Sequence, residues 1–190
     1  MSEGHFHVHA PHDHEVEHAA HSGDPLAGRI AMMTAIFATI GALYGYMAGA
    51  TQNDALLFKN EAAIRTLEAS DQWNFYQAKS SKQNLAELGA TLTTGDVAER
   101  YKSEVKRYND EKKEIQKKAE ELEKAGVEAN LRSEQSMHVH HRWAQSMTLI
   151  QVAIALAAIA LLTRKKWLQW GVYLTGAGSI VLAALAMQHI

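Results

Sequence analysis

The sequence predicts an all-α membrane protein: three transmembrane helices, with a long antiparallel helical hairpin of coiled-coil type inserted between the first and the second. Three observations lead there. Hydrophobic residues make up 47% of the 190, and they are concentrated in three blocks long enough to cross a bilayer. Residues 51–142, between the first two blocks, are strongly polar, and their apolar residues recur at sevens. Proline occurs only at positions 11 and 25, so nothing after the first block forces a helix to stop.

The first block, "IAMMTAIFATIGALYGYMAGA" from Ile30 to Ala50, holds no ionisable group except its tyrosines. At about 1.5 Å per residue it matches a hydrocarbon core roughly 30 Å thick, so 29–50 is assigned as transmembrane helix 1. A cleaved signal peptide is the alternative, because Ala48-Gly49-Ala50 has the small-residue spacing of a cleavage site. Two features oppose it: the apolar run is longer than a signal core, and the preceding leader is acidic, with Arg29 as its one base. The second block, 143–163, and the third, Trp167 to Met187 in a segment assigned as 167–188, reach spanning length as well, with only Gln145, Gln151 and Gln169 as strongly polar side chains inside them near their ends.

Arg164 to Lys166, "RKK", joins blocks two and three, so the pair is a helical hairpin whose short basic loop belongs on the cytoplasmic side. Block two then enters from outside. This orientation gives a multi-pass protein with a cytoplasmic amino terminus and an extracytoplasmic polar stretch. Lys59, Arg65, Arg132 and Arg142 flank that stretch and match in number the four bases inside, which weakens the bias. The absence of cysteine fits either side.

Residues 51–142 carry 16 acidic and 15 basic residues, a balance that gives no electrostatic footprint for nucleic acid. The segment reads as two helices with a turn near 89–96, where Gly89 and Gly95 punctuate and Asp96 with Glu99 forms a capping box. Tyr101, Tyr108, Ile115, Leu122 and Ala129 recur at sevens beyond it, with Val105, Ala119 and Gly126 in the complementary row and Lys112 the exception. A chain folded back about positions 92 and 93 brings Leu85 to Tyr101, Tyr76 to Tyr108, Leu67 to Ala119, Ile64 to Leu122 and Leu57 to Ala129. Trp73 and Tyr76 then meet Tyr108 and the stem of Lys112, an aromatic patch read as core.

Gly41, Gly45 and Gly49 form two overlapping GxxxG units on block one, a strip that lets another helix approach closely. Block two, block three or another subunit could fill it.

Several stretches resemble a known family: "GDPLAGRIAMMTAIFATIGALYGY", "NDALLFKNEAAIRTLEASDQWNFYQAKSSKQNLAE", "HHRWAQSMTLIQVAIALAAIALLTRKKWLQW" and the closing "HI". They are similar to the bacterial membrane proteins grouped as domain of unknown function 4337, and "EASDQWNFYQAKS" is the most specific part. The resemblance spans most of the chain. It implies a bacterial membrane protein without an assigned activity and brings no catalytic or binding residues with it.

Two histidine clusters remain. Residues 1–28 read as a His-rich, acidic, disordered tail, in which positions 5–21 hold seven histidines and no lysine or arginine. His5, His7 and His9 share one side of an extended strand, and His14, His18 and His21 one helical face. Together with His12, and with Asp13, Glu15 and Glu17 as oxygen donors, they could bind zinc, nickel or copper, sense pH, or simply be solvated. The second cluster precedes block two: His138, His140, His141, Arg142 and Trp143. These residues suit the headgroup layer, as do Trp167 and Trp170 at the start of block three.

No Ser/His/Asp grouping, phosphate-cradling glycine loop or HExxH occurs, so no catalytic residue is assigned and an enzyme is not expected. Spans without intramembrane ionisable groups also disfavour transport by a single chain. Two functional readings follow. One is a membrane-anchored structural or interaction protein, a homo-oligomer presenting its hairpin to a partner or to its own copies. The other is a divalent-metal accessory or sensor acting through the histidine tail.

Overall fold

A computed structural model describes residues 25–188. Among these residues the regular structure is helical, with no strand: α1 is Pro25–Leu92, α2 Asp96–Thr163 and α3 Lys166–Met187. The tail histidines His5, His7, His9, His12, His14, His18 and His21 lie outside the described residues. Two compact units share the helices. A terminal unit takes in the chain up to Gln52 and from Met137 onward, and a central unit is Asn53–Ser136.

Pro25 opens α1 at a position where its missing N–H costs nothing. The helix then runs 68 residues, straight through Gly89, and stops where Thr91 and Thr93 donate hydroxyl bonds to the carbonyls of Leu88 (2.8 Å) and Gly89 (2.7 Å). Gly95 has a φ of +66°, which lets the chain turn without a Cβ clash. Its carbonyl accepts the first bond of α2, from the Glu99 N–H at 3.2 Å, so Gly95 holds the cap position expected one residue later at Asp96. Asp96 and Glu99 instead place negative charge in the first turn, against the positive end of the helix dipole. Between α2 and α3, Arg164 takes a left-handed φ of 50°. Its N–H still reaches the Ala160 carbonyl at 2.9 Å, which makes the turn a two-residue one.

The terminal unit buries mostly small residues around a few large ones, and turns many large ones outward. α2 buries Trp143, Ser146, Ile150, Ala153, Ala157 and Ala160, spaced alternately by three and four. α3 buries Leu168, Val172, Gly176, Ser179, Ala183 and Ala186. Met32, Leu43, Tyr46, Leu162, Trp170 and Leu174 point outward, each at least 60% exposed. Hydroxyls on these helices bond back to their own backbone, as Thr34 does to the Ile30 carbonyl at 2.9 Å, and among the described residues no buried side-chain N or O atom lacks a partner.

In the central unit, contacts between α1 and α2 run in opposite directions along the two helices. The Ser133 hydroxyl donates to the Ala55 carbonyl at 2.8 Å, Lys59 bonds Asn130 at 2.6 Å, the Trp73 indole N–H donates to Glu123 at 2.8 Å, and Lys79 pairs with Glu111. Nearest the turn, Gly89 lies against Tyr101. The register is therefore about four residues later than the expected one, which put Leu85 there. The connection lies at Thr93–Gly95, so the chain folds back about position 94.

The expected core is corrected with it. Leu57, Ile64, Leu67 and Leu85 are exposed, at 58%, 55%, 68% and 68%. The residues that α1 buries are Ala55, Ala62, Ala69 and Ala86, and those that α2 buries are Ala98, Ala119, Gly126, Ala129 and Ser133, while Tyr101, Tyr108, Ile115 and Leu122 are half-buried. The physical reason is size. Small residues on both helices let the backbones approach, whereas two rows of leucine and tyrosine would hold them apart. Trp73 and Tyr76 do touch, edge to face at 5.6 Å, and the Lys112 ammonium sits 4.7 Å over the Tyr76 ring. Tyr108 faces Lys79 and Arg107 instead of Tyr76.

Candidate functional site

In the terminal unit α1 meets α2 along its glycines. A Cβ on Gly41 would stand 3.1 Å from Ile150 Cγ2, and one on Gly45 3.4 Å from Met147 Sδ, so both positions are already filled by this chain's own α2. Gly49 is exposed, and a Cβ there would meet nothing within 4 Å. The strip is thus an internal contact at two of its three positions, filled by block two among the three alternatives the sequence left open. A further glycine was not singled out by its sequence. At Gly176 on α3 a Cβ would come within 2.7 Å of Phe37 Cζ, and no repeat of small residues at fours surrounds it as a signal.

The histidine cluster divides. His138 and His141 are exposed, while His140 turns inward and its Nδ1 bonds the Ala48 carbonyl at 2.8 Å. A carbonyl only accepts, so Nδ1 carries the proton and Nε2 alone is left as a lone-pair donor. His140 and His141 stand 5.5 Å apart, centroid to centroid. Among the described residues no group of three or more His, Cys, Asp or Glu side chains gathers as a metal site would require.

Trp143 departs from its expected place at the headgroups. It is 2% exposed and packs at 5.5 Å on Tyr44, within a cluster that includes Ala48, Ile150, Ala183 and Ala186. Arg142 beside it is half-buried, and its carbonyl accepts the Ser146 hydroxyl at 2.9 Å. Ser179 crosses from α3 to donate to the Ser146 carbonyl at 2.8 Å, a fully buried polar link. Trp167 and Trp170 do face outward, at 67% and 76% exposure.

A groove of about 60 Å³ lies among Leu26, Arg29, Ile30, Gln169, Val172 and Tyr173 at the end of the unit where the basic loop turns. In the central unit Glu111 is the group whose ionisation the structure biases. The Lys79 ammonium bonds it, and with Arg107 and Lys82 nearby its carboxyl is held below the ordinary glutamate range. These pairs leave between 31% and 57% of each side chain exposed, so they orient the helices more than they stabilise them.

Residues 26–189 match the family described as Domain of unknown function (DUF4337), and the chain belongs to it. No curated protein and no solved structure matches the chain.

Proposed function

We propose that this protein is a membrane-anchored structural or interaction protein: a homo-oligomer of the bacterial inner membrane that presents an antiparallel coiled-coil hairpin outside the cytoplasm. One observation carries the reading. All three helices contain a segment apolar enough to cross a membrane, and two of them are 67 and 68 residues long in those terms, far beyond the roughly 20 that a bilayer needs. The inverted packing of the terminal unit supports it. Many large apolar side chains on the outside, and an interior made mostly of Ala, Gly and Ser around Tyr44, Trp143 and Ile150, suit a surface solvated by lipid, where close backbone approach drives helix association.

The excess length of α1 and α2 becomes a narrow two-helix seam with alanine at its centre, a shape suited to reach and contact more than to enclosing a substrate. The activity we propose for this arrangement is binding of a partner along the two helices. The RKK loop favours an inside position for itself and for the amino terminus, and so an outside position for the central unit. Partners are then the bilayer, other copies, and a protein ligand of the hairpin.

The test is extraction and mass. The full-length protein is expected to stay in the membrane fraction after an alkaline carbonate wash, and in nanodiscs to have a mass that is a multiple of 21.0 kDa. Release by carbonate would remove the membrane anchor, and a single-chain mass would remove the oligomer.

A further inference from the structure

α1 carries two rows of sevens in the central unit, and only one of them is used. The alanine row faces α2. The other lies two residues on, about 200° around the helix, and holds Leu57, Ile64, Leu85 and Leu92, with Leu67 and Leu88 in its complementary row. Each of these six side chains leaves more than half its surface exposed, between 54% and 75%. Every other position of the two rows, Asn60, Asp71, Asn74, Ala78 and Ser81, is exposed as well. A heptad seam, apolar at both ends and polar in the middle, thus stands open along a helix that already has its intramolecular partner.

We propose that this leucine seam is the interface between copies: α1 of one chain packs on α1 of a second, in parallel and in register. The inference rests on the membrane-anchored reading above, because copies held in one bilayer present the same residues at the same height. Four observations commit the seam to that occupant. A repeat of 3.5 residues specifies another supercoiling helix, where a globular partner would need only a patch. Six side chains exposing on the order of 100 Å² each give about 600 Å² per copy, or 1,200 Å² in all, the lower bound of a stable interface.

Charge distribution points the same way. Residues 53–92 carry 9 charged side chains in 40 positions, and residues 96–136 carry 21 in 41, so α2 has the solvated outer face and α1 the dry one. The flanking positions are compatible as well. In a parallel pair the residues facing across the seam are Leu56 with Glu61, Ala63 with Glu68, and Gln77 with Lys82, which bring no like charges together. Asp71 is the one charge in the seam, and it falls in the polar middle with Asn74 and Ser81, where water can remain. Leucine contacts then form at two ends, 57–67 and 85–92.

The experiment uses the full-length, naturally cysteine-free chain in native membranes. Single cysteines are placed by Ile64→Cys and Leu85→Cys, with Lys117→Cys on the exposed face of α2 as control, and oxidised with copper phenanthroline. Disulfide-linked dimers are expected at the first two positions, in at least tenfold higher yield than at Lys117. Equal yield at all three positions, or none at Ile64 and Leu85, would overturn the proposal. The double variant Ile64→Asp/Leu85→Asp provides a second reading. It is expected to reduce the oligomer in nanodiscs to a single chain with unchanged helical circular dichroism, and retention of the wild-type mass would count against the seam. Wild-type mass separates the two levels: a wild-type oligomer without these cross-links rejects only the seam, whereas a wild-type single chain rejects the homo-oligomer itself.

Discussion

Enlarging a single alanine should damage the central unit more than shrinking an exposed large side chain on the same helix. Ala119 on α2 has no exposed surface, and Val127, eight residues on, is 61% exposed. Ala119→Leu adds three carbons where no space is left, and overpacking of that kind costs roughly 2 kcal/mol. For a cooperative unit the size of Asn53–Ser136, each kcal/mol moves the midpoint by about 4–8 °C, so the variant should melt about 8–16 °C below wild type. Val127→Ala removes side-chain atoms already in solvent and should cost less than about 0.5 kcal/mol. The assay is thermal unfolding of the full-length protein in one detergent, followed by far-ultraviolet circular dichroism. An Ala119→Leu protein melting with wild type, or a Val127→Ala protein melting as early as Ala119→Leu, would refute the alanine seam.

Three further outcomes follow. Trp143→Ala should cost about 3–5 kcal/mol because that ring is buried against Tyr44, while Trp170→Ala should leave the melting midpoint nearly unchanged; equal effects would contradict the burial. Ser179→Ala should cost only about 0.6 kcal/mol, the average for a hydrogen bond between membrane helices, and a loss several times larger would show the link doing more than joining α3 to α2. Glu111 has its carboxyl held down in the folded state, so its contribution is present in full above the ordinary glutamate range, around pH 4, and fades as pH falls through the lower folded value. Lys79→Met should flatten that acid-side loss in a pH series of melting curves, and an unchanged slope would contradict the pairing.

Much of the helix layout was legible because apolar length is a one-dimensional property. Three apolar blocks and the glycines at 89 and 95 locate three helices and the turn between the first two. Which row of α1 faces α2 was not legible from hydrophobicity, since both rows recur at sevens and the leucine row is the more apolar. The deciding quantity is size. Ala55, Ala62 and Ala69 let α2 approach closely where it is small as well, at Ala119, Gly126 and Ala129, and near the turn Tyr101 has Gly89 against it. Trp143 was misread for a related reason. A tryptophan beside Arg142 at the edge of an apolar block has the composition of a headgroup anchor, yet it falls in the same row of sevens as Tyr101 and Ala129, which is the inward row. The glycines at 41 and 45 were visible as a packing strip, but a strip does not name its partner. Ile150 and Met147 do.

The orientation of the hairpin is the point on which partner access depends, and single-cysteine labelling in intact bacterial cells tests it most directly. Ser2→Cys and Thr94→Cys, the latter at an exposed position in the turn, would be treated with a membrane-impermeant maleimide before and after lysis. An extracytoplasmic hairpin gives labelling at Thr94 before lysis and at Ser2 only after it. Protection of Thr94 until lysis would place the central unit in the cytoplasm and contradict the proposed presentation.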